Sequence, residues 1–336
     1  MKAAIYKGKE DVEIQELPLP ECGDDDVLIQ NIYSSICGTD VAVYKYGPET
    51  GHRITVGSEF GHETISRVAA VGKNVKEFSV GERVYPYPRY AKNDTKRAGT
   101  IGGFSEYILV PQAKKNHSLY EVPETIPDRL ACLIEPFTVG CRAARRGQPK
   151  AGENAIVFGC GTIGLAAAIA LKFFGAAKVM ICDLSDLRLN IAKEIGFAVC
   201  NTAKENFEEK AVSYFGEAPS LSGQTMDADI FLDAAGDESI LETFMKHGKI
   251  GSRFVSVAVS KSKRSLDLLH LTYAQKSIIG SGGYFPEDVR DVMTIMQSGR
   301  WDLEKMITHE FSIDEIDRAI QTAADSDRAL NVTIKF

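Results

Sequence analysis

Four side chains of metal-binding type are spread through the first 135 residues of the chain. They are the thiol of Cys37, the imidazole of His62 and the carboxylates of Glu63 and Glu135. Thiolate, imidazole and carboxylate are the ligands that zinc takes in proteins. Because these residues are far apart in the chain, no single loop can hold them, and only a folded domain can bring them to one metal. Dispersed ligands of this kind predict a catalytic zinc site.

Each of these residues also has an ordinary interpretation. A lone cysteine such as Cys37 is more often a small buried apolar residue, and a lone glutamate is normally solvated. Glu135, however, stands in the otherwise apolar run 130–140, where an unpaired carboxylate is costly to bury and a metal would remove that cost. Cys37 follows the apolar segment 27–36 and precedes a glycine, so we expect its sulfur at a strand tip.

A glycine-rich fingerprint predicts a dinucleotide site. Gly159, Gly161 and Gly164 follow an apolar strand and open an alanine-rich helix, with Asp183 at the end of the next apolar strand. Such glycines allow a sharp turn and a close approach of the backbone to a pyrophosphate at the helix N-terminus. Asp183 should bind the adenosine ribose hydroxyls and repel a 2′-phosphate, which favours NAD over NADP. Arg188 either stacks on the adenine or is solvated.

The bulk composition limits the possible functions. The 336 residues suffice for roughly two domains, and 44% hydrophobic with 25% charged residues is typical of a globular protein. The net charge of -7 argues against a nucleic-acid or anionic-membrane partner. Seven cysteines without regular spacing do not suggest a disulfide framework, and the N-terminus lacks the apolar core of a signal peptide. We therefore expect a cytoplasmic protein.

The pattern of predicted secondary structure changes near residue 150. Before it, short β-like segments separated by turn residues occur at 2–6, 26–33, 64–71, 83–87 and 105–110. After it, strands at 155–158, 178–182, 230–233, 254–258 and 277–280 accompany helices at 162–174 and 185–195. This predicts an α/β protein in which a β-rich domain (1–148) precedes a doubly wound parallel sheet (149–286). We assign a helix near 287–297 and a strand at 330–335 to the first domain. The charged stretch 92–97 is expected to be a solvated loop.

Over essentially its whole length the sequence resembles the zinc-containing medium-chain alcohol dehydrogenases, in the branch of the sorbitol, threonine and sugar-acid dehydrogenases. The motifs that carry the resemblance are Cys37-Gly38-Thr39-Asp40, Gly61-His62-Glu63, Val71-Gly72, Gly81-Glu82-Arg83-Val84, Gly103-Phe104-Ser105-Glu106-Tyr107, Glu135-Pro136 and the fingerprint with Asp183 and Arg188. The resemblance implies a GroES-like catalytic domain, a Rossmann NAD-binding domain, and an active site in the cleft between them. Similar proteins are usually dimers or tetramers.

The resemblance also implies roles for particular residues. Cys37, His62 and Glu135 would hold zinc, and Glu63 would be a fourth or exchanging ligand. NAD would also contact Ile163, Val257 and Ser281.

In two places the chain departs from its relatives. Many relatives bind a second, structural zinc through four closely spaced cysteines, but the corresponding stretch 85–102 contains no cysteine. We therefore expect one zinc per chain.

The second departure concerns proton transfer. Zinc would stabilise the charge that develops on an alcohol oxygen, NAD would accept the hydride, and Thr39 would take the proton. Relatives often have a histidine five residues after the zinc cysteine as the outer relay group, whereas this chain has Ala42. The proton would then leave through a cofactor ribose hydroxyl and water, or through Tyr44 or His52.

The sequence predicts a substrate that is a secondary alcohol or ketone, and the resemblance favours polyols and sugar acids. Tyr44, Tyr46 and Phe104 offer an alternative, because they could line the site with aromatic surface for a bulkier cyclic or apolar alcohol. Two other functions remain open: a zinc-free reductase of the same architecture, and a non-catalytic NAD-binding sensor. The first needs neither Cys37 nor Glu135, and an intact Thr39 argues against the second.

Overall fold

The computed structural model describes residues 1–50, 54–92, 98–260 and 263–336. They form two compact units, one comprising Met1–Glu135 with Leu303–Phe336 and the other Pro136–Asp302. The strands are β1 (Lys2–Gly8), β2 (Asp11–Glu16), β3 (Val27–Ser35), β4 (Glu63–Val71), β5 (Arg83–Pro86), β6 (Tyr107–Val110), β7 (Leu119–Glu121), β8 (Asn154–Phe158), β9 (Lys178–Asp183), β10 (Ala198–Asn201), β11 (Glu217–Ser220), β12 (Gly223–Met226), β13 (Ile230–Asp233), β14 (Arg253–Ser256), β15 (Ser277–Gly280), β16 (Ile307–Ser312) and β17 (Asn331–Lys335).

Ten α-helices are found among the described residues. They are α1 (Gly38–Tyr46), α2 (Asp128–Ala131), α3 (Ile134–Arg146), α4 (Thr162–Phe173), α5 (Asp186–Ile195), α6 (Phe207–Phe215), α7 (Glu238–His247), α8 (Leu268–Tyr273), α9 (Pro286–Gln297) and α10 (Ile316–Ala323). No helix in the described part of the chain is both long and apolar enough to cross a membrane.

The first unit is built on a seven-stranded sheet. Its order is β16-β17-β3-β4-β5-β7, and β6 pairs with β3. Val27 and Ile29 of β3 and Val68 of β4 contribute to a buried core on this sheet. The antiparallel register places Ser35 opposite Glu63 at one end of the β3–β4 pair. This register brings the residues before β4 close to those that follow β3.

A second apolar core of the first unit lies beside the segment that precedes β4. The ring centroid of Phe60 lies 5.0 Å from that of Phe104 and 6.1 Å from that of Tyr6, and the rings of both pairs meet edge-on. Gly61 has a φ of 84°, and a Cβ atom there would lie 2.7 Å from the Phe104 ring. Only glycine fits this position, so the turn that leads into His62 is fixed by packing.

The second unit contains a six-stranded parallel sheet in the order β10-β9-β8-β13-β14-β15. Counted from β8, this is the order 3-2-1-4-5-6 of a doubly wound nucleotide-binding fold, and it confirms the predicted fold class. The chain reverses direction across the sheet between β8 and β13, and ligands bind such sheets at the carboxyl ends of the strands near this point.

The helix near 287–297 lies in the second unit, not in the first domain as the sequence suggested. Asp288 of α9 is fully buried and accepts a 2.8 Å hydrogen bond from Arg145 of α3, and this pairing holds α9 within the second unit. The C-terminal strand β17 does belong to the first unit, where it pairs with β3. The units therefore divide at residues 135 and 302, whereas the sequence prediction divided them at 148 and 286.

Candidate metal and cofactor sites

Cys37 lies at a junction between a strand and a helix. It follows β3 and is the residue immediately before α1, with an extended backbone. The predicted position at the end of a strand agrees with the structure, but the expected glycine turn does not form, because Gly38 is the first residue of α1. A thiol at a helix N-terminus is favoured in its anionic form, which is the form that binds metals.

The ligand atoms of Cys37, His62 and Glu63 all lie within 4.8 Å of one another. His62 directly precedes β4, and Glu63 is its first residue, where the Ser35 hydroxyl donates a hydrogen bond to the carboxylate. His62 and Glu63 are both buried. Three donors from two distant parts of the sequence thus meet at one point, as a metal site requires.

Glu135 occupies the first turn of α3 and is only 7% exposed. Burial is the largest influence on the pKa of the Cys37 thiol, which it raises, and on that of the His62 imidazole, which it lowers; the Glu135 charge raises both pKa values, so the carboxylate is within electrostatic reach of both groups. The partial positive charge at the N-terminus of a helix favours a carboxylate in this turn.

Burial and negative charge act together on the cluster. Burial raises the pKa of the Cys37 thiol well above its usual range, and the nearby carboxylates of Glu63, Asp40 and Glu135 raise it further. Burial likewise raises the pKa of Glu63, while His62 lowers it. Protons or a divalent cation can neutralise such a cluster of closely spaced acidic side chains. A thiolate, an imidazole and carboxylates at this spacing form a donor set that fits zinc.

Asp40 contacts two residues of the candidate site, and the sequence analysis gave it no role. It is fully buried, its Oδ2 accepts a 3.0 Å hydrogen bond from the Cys37 backbone N–H, and its Oδ1 lies 3.7 Å from His62 Nδ1. Burial raises the pKa of Asp40 to about 6, although the His62 charge lowers it. A carboxylate on the second nitrogen of a metal-binding histidine fixes the ring's orientation. An acidic residue three positions after a helix N-cap is the signal that could have revealed it.

Thr39 lies in the first turn of α1, beside Cys37. Its Oγ1 is buried and makes no hydrogen bond of normal geometry with the described residues, although it is close enough to the Cys37 thiol to lower its pKa. A buried hydroxyl normally has a partner, so this oxygen is available to another group.

The predicted fingerprint forms the turn between β8 and α4. Gly159 has a φ of 98°, and a Cβ atom on Gly164 would lie 1.8 Å from the Gly159 carbonyl oxygen. The turn therefore requires glycine at both positions. Gly161 is different: a Cβ there would meet only Arg188 Nη1, at 3.9 Å. The absence of a side chain at Gly161 leaves the backbone accessible to a ligand such as a pyrophosphate. Ile163 follows in the first turn of α4.

Asp183 ends β9 and is connected to the fingerprint turn. Its carboxylate accepts hydrogen bonds from the backbone N–H groups of Cys160 at 2.5 Å, Leu184 at 2.7 Å and Ser185 at 2.8 Å. The sequence analysis assigned Asp183 to a ribose and missed this contribution to the structure of the turn. Arg188 lies in α5, and the Cys160 thiol donates to its carbonyl oxygen.

Val257 and Ser281 directly follow β14 and β15. Because the sheet is parallel, they share its carboxyl edge with the fingerprint turn and Asp183. Ser281 Oγ is buried and has no hydrogen-bond partner in the part of the chain that the structure describes.

The aromatic residues proposed to line the site do not form one surface. Phe104 and Tyr44 are buried in the apolar core of the first unit, where the Tyr44 hydroxyl donates a 2.7 Å hydrogen bond to Asp317, whereas Tyr46 is 70% exposed. The alternative of a bulky cyclic alcohol therefore loses the residues on which it rested. The charged stretch 92–97 and His52 lie outside the described residues, apart from Lys92, which is exposed.

The sequence matches two family models, the alcohol dehydrogenase GroES-like domain at residues 23–124 and the zinc-binding dehydrogenase at residues 162–298. L-threonine 3-dehydrogenase of Escherichia fergusonii is 30% identical, and the match covers 95% of each chain. The crystal structure of 2R,3R-butanediol dehydrogenase from Bacillus subtilis superposes with a TM-score of 0.86 at 24% identity, covering 100% of this chain and 99% of the other.

An alcohol dehydrogenase from Escherichia coli CFT073, complexed with the cofactor NADH, has a TM-score of 0.85 and 25% identity, covering 100% and 99% of the two chains. The chain belongs to the zinc-containing medium-chain alcohol dehydrogenase family. It is an oxidoreductase that uses zinc and NAD to transfer a hydride to or from an alcohol carbon, which confirms the predicted enzyme class and cofactors.

Proposed function

We propose that the enzyme interconverts a small secondary alcohol of the polyol or hydroxy-acid type and its ketone. The observation that carries the proposal is that the ligand atoms of Cys37, His62 and Glu63 lie within 4.8 Å of one another, with Glu135 in electrostatic reach. The relatives named above support the substrate class, since threonine and butanediol are both small secondary alcohols.

In this proposal Cys37, His62 and Glu135 hold the zinc, and Glu63 is a fourth or exchanging ligand. When bound, zinc supplies a Lewis acid that stabilises negative charge on the reacting oxygen, and NAD supplies the hydride acceptor. Asp40, whose Oδ1 lies 3.7 Å from His62 Nδ1, is proposed to orient the His62 ring, and the Ser35 hydroxyl donates a hydrogen bond to Glu63. With no cysteine at residues 85–102, we expect one zinc per chain.

Thr39 is proposed to take the proton of the alcohol, because its buried hydroxyl lies beside Cys37 and lacks a well-directed hydrogen bond with the described residues. Ala42 cannot pass the proton on, and the Tyr44 hydroxyl is already bonded to Asp317. We therefore infer that the proton leaves through a ribose hydroxyl of the cofactor and water.

For the cofactor, we propose that Gly159, Gly161 and Gly164 admit the pyrophosphate and that Asp183 binds the adenosine ribose. Ile163, Val257 and Ser281 are proposed to contact NAD, supported by their positions at the carboxyl edge of the sheet or in the first turn of α4. Arg188 is proposed to lie over the adenine.

Metal content measured on two variants tests the ligand roles. Glu135→Ala should lose its zinc and nearly all activity, whereas Glu63→Ala should keep more metal if its contact is transient. Elemental analysis of the purified proteins measures the difference, and the control is Glu304→Ala, at an exposed position in the single-turn 3-10 helix Leu303–Met306. Greater zinc loss in Glu63→Ala would reverse the two roles, and two tightly bound zincs in the wild type would contradict the single site.

We also propose that the enzyme is a cytoplasmic homo-oligomer, a dimer or a tetramer. β15 is the edge strand of the six-stranded sheet, and Ile278 on it is exposed. Leu268, Leu269 and Tyr273 on α8 are also exposed. An exposed apolar edge strand favours pairing with another chain. Light scattering measures the oligomeric state of the wild type and of Ile278→Lys. A monomeric wild type would refute the proposal.

A further inference from the structure

Two cysteines lie side by side on neighbouring strands of the second unit. Cys182 of β9 and Cys200 of β10 are partners in the parallel register of this strand pair. Both side chains belong to the same apolar core, so they point to the same face of the sheet. Both are free thiols, and no step of the proposed reaction uses either of them.

The spacing of the two strands suits a bond between these thiols. Neighbouring strands lie about 4.8 Å apart, which falls within the range of Cα separations that a disulfide spans. Aligned partners of a parallel pair have their Cβ atoms at about the same separation, slightly more than the roughly 3.8 Å that is usual in a disulfide. A bond between the two sulfur atoms would therefore draw β10 toward β9 at this point.

The two thiols differ in acidity. The Cys182 thiol donates a hydrogen bond to Cys200, which lowers the pKa of Cys200, although burial of Cys200 raises it. Burial raises the pKa of Cys182 well above its usual range, and the hydrogen bond with Cys200 raises it further. The charge of Lys210 lowers both pKa values. Cys200 is thus the thiol that ionises more readily, and the thiolate is the nucleophilic form of cysteine.

Both thiols are shielded from solvent in the closed structure. Cys200 is 0% exposed and Cys182 is 2% exposed. However, β10 is an edge strand of the six-stranded sheet and has only four residues. Local opening costs less free energy than global unfolding where few contacts must be broken. A small oxidant can therefore reach the pair when β10 opens.

The pair lies next to the strand end that is proposed to bind the cofactor. The Cys182 carbonyl oxygen accepts a 2.8 Å hydrogen bond from the Gly159 N–H of the fingerprint turn. The next residue, Asp183, accepts the Thr202 N–H at its carbonyl oxygen, at 3.2 Å, and the Cys160 N–H at its carboxylate. A shift of β10 toward β9 would therefore be transmitted directly to Asp183 and to the glycine turn.

We propose that Cys182 and Cys200 form a redox modification site, in which a peroxide converts the two thiols to a disulfide between β9 and β10 and thereby lowers the affinity for NADH. The disulfide does not depend on the proposed function, whereas its effect on NADH rests on the proposed role of Asp183 and the glycine turn. Reversible disulfides of proteins in a reducing compartment are usually catalytic or redox-sensing.

The reaction has two steps. The Cys200 thiolate attacks one oxygen of hydrogen peroxide, the O–O bond breaks, and a sulfenic acid forms while hydroxide leaves and takes up the proton that Cys200 released. The Cys182 sulfur then attacks the sulfenic sulfur, so that the S–S bond forms, the S–O bond breaks, and the hydroxyl leaves as water with the Cys182 proton. Two thiols lose two electrons in total, and one peroxide is reduced to two molecules of water.

Peptide mapping and NADH titration test the two parts of the inference separately in the zinc-loaded enzyme. After treatment with hydrogen peroxide, mass spectrometry should find a disulfide between Cys182 and Cys200. Fluorescence titration should show an NADH affinity lowered by about tenfold, and dithiothreitol should reverse both changes. Zinc content, measured on the same samples, should stay constant and so exclude oxidation of Cys37 as the cause.

Three variants identify the thiols responsible. Before treatment, Cys200→Ala should bind NADH within about twofold of the wild type, and after treatment its affinity should not change. Cys182→Ala should lose the response in the same way, so a folding defect in one variant does not decide the result. The matched control is Cys141→Ala, which removes another buried cysteine of the second unit and should respond to peroxide as the wild type does.

The coupling must also act in the opposite direction. If the disulfide weakens NADH binding about tenfold, saturating NADH must shift the equilibrium between the dithiol and the disulfide about tenfold toward the dithiol. Mixtures of reduced and oxidised dithiothreitol, with the fraction of disulfide read by mass spectrometry, measure this shift.

Several results would overturn the inference. They are a treated wild type without this disulfide, a disulfide that leaves NADH affinity unchanged, and a Cys200→Ala variant that responds to peroxide as strongly as the wild type. Each of them would leave the proposed function intact. A reduced wild type that does not bind NADH would instead refute the proposed cofactor site together with the effect of the disulfide on it.

Discussion

The candidate metal site and the candidate dinucleotide site would place their functional groups by different means. As proposed, the first collects side chains from the start of α1, the start of β4 and the first turn of α3. The second is made largely of backbone in one short turn between β8 and α4, fixed by glycines and by the Asp183 carboxylate. A site made of dispersed side chains is lost when one of its ligand side chains is removed. A site made of backbone is lost when a side chain is added to it. Substitutions at the candidate metal site should therefore reduce zinc binding and leave NADH binding intact, and substitutions in the fingerprint turn should do the reverse.

The largest expected effect is at the metal site. His62→Ala removes one of three clustered donors, so zinc should be lost, and the activity should fall by roughly 10³ or more, since a metal supplies several kcal/mol of charge stabilisation. NADH binding, measured by fluorescence titration, should stay within about twofold of the wild type.

Asp40→Asn keeps the shape but removes the charge beside His62, and it should weaken zinc binding by only about 10- to 100-fold.

These two variants test the comparison directly. If His62→Ala kept its zinc, the cluster would not be the metal site. If it lost NADH binding as well, the two regions would not be independent.

The second prediction concerns two glycines of one turn. In Gly164→Ala the new Cβ would collide with the Gly159 carbonyl, so the second unit should lose about 3 kcal/mol of stability and NADH binding should fail. In Gly161→Ala the Cβ meets only the end of a flexible arginine, so stability should hold while NADH affinity falls by at least about tenfold, because the methyl group occupies the ligand's approach.

Thermal unfolding and NADH titration of both variants give the measurement. Equal loss of stability in the two would mean that Gly161 is required by the fold and not by the cofactor. Zinc content should be unchanged in both.

The sequence predicts the second unit more fully than the first, for a physical reason. Its strands are continuous apolar runs and its fingerprint is local, so β8, α4 and β9 begin and end within a residue or two of their predicted bounds. In the first unit, α1 is not predicted, because Thr39 and the β-branched valines after it are poor helix formers and a glycine precedes them.

The metal-binding chemistry of the side chains, supported by the resemblance to a known family, and not periodicity, suggested that Cys37, His62 and Glu63 belong together. Only the register of β3 on β4 brings them into contact. The contacts of Asp40 and the pairing of Cys182 with Cys200 depend on tertiary packing, which no spacing in the sequence reveals. The burial of Tyr44 and Phe104 likewise follows from packing, whereas the sequence had offered them as a possible lining of the substrate site.

The third prediction concerns proton transfer. Thr39→Val preserves the shape of the side chain and removes only the hydroxyl, so zinc content and NADH affinity should not change. Turnover should fall by about 10², the usual contribution of a positioned proton acceptor. Steady-state kinetics with metal analysis measures both. A fully active Thr39→Val would show that the proton has another route, and that Thr39 serves only the first turn of α1.

The smallest expected effect distinguishes two roles of one carboxylate. Asp183 already accepts backbone N–H groups from Cys160, Leu184 and Ser185, and a carboxylate has about four acceptor positions, so it retains capacity for a ribose hydroxyl. Asp183→Ser should weaken NAD and improve NADP, shifting the ratio of their kcat/KM values by about tenfold, because it removes both the ribose acceptor and the charge that repels a 2′-phosphate.

The same substitution should also cost about 1–3 kcal/mol of stability, since backbone donors lose their acceptor. Thermal unfolding with and without each cofactor separates the two contributions: the stability loss appears in the absence of cofactor, and the change in cofactor preference appears in the additional stabilisation that each cofactor gives. If Asp183→Ser lost stability but kept the wild-type preference for NAD, Asp183 would only connect β9 to the fingerprint turn. The dinucleotide site would then select its cofactor without a side chain from this strand end.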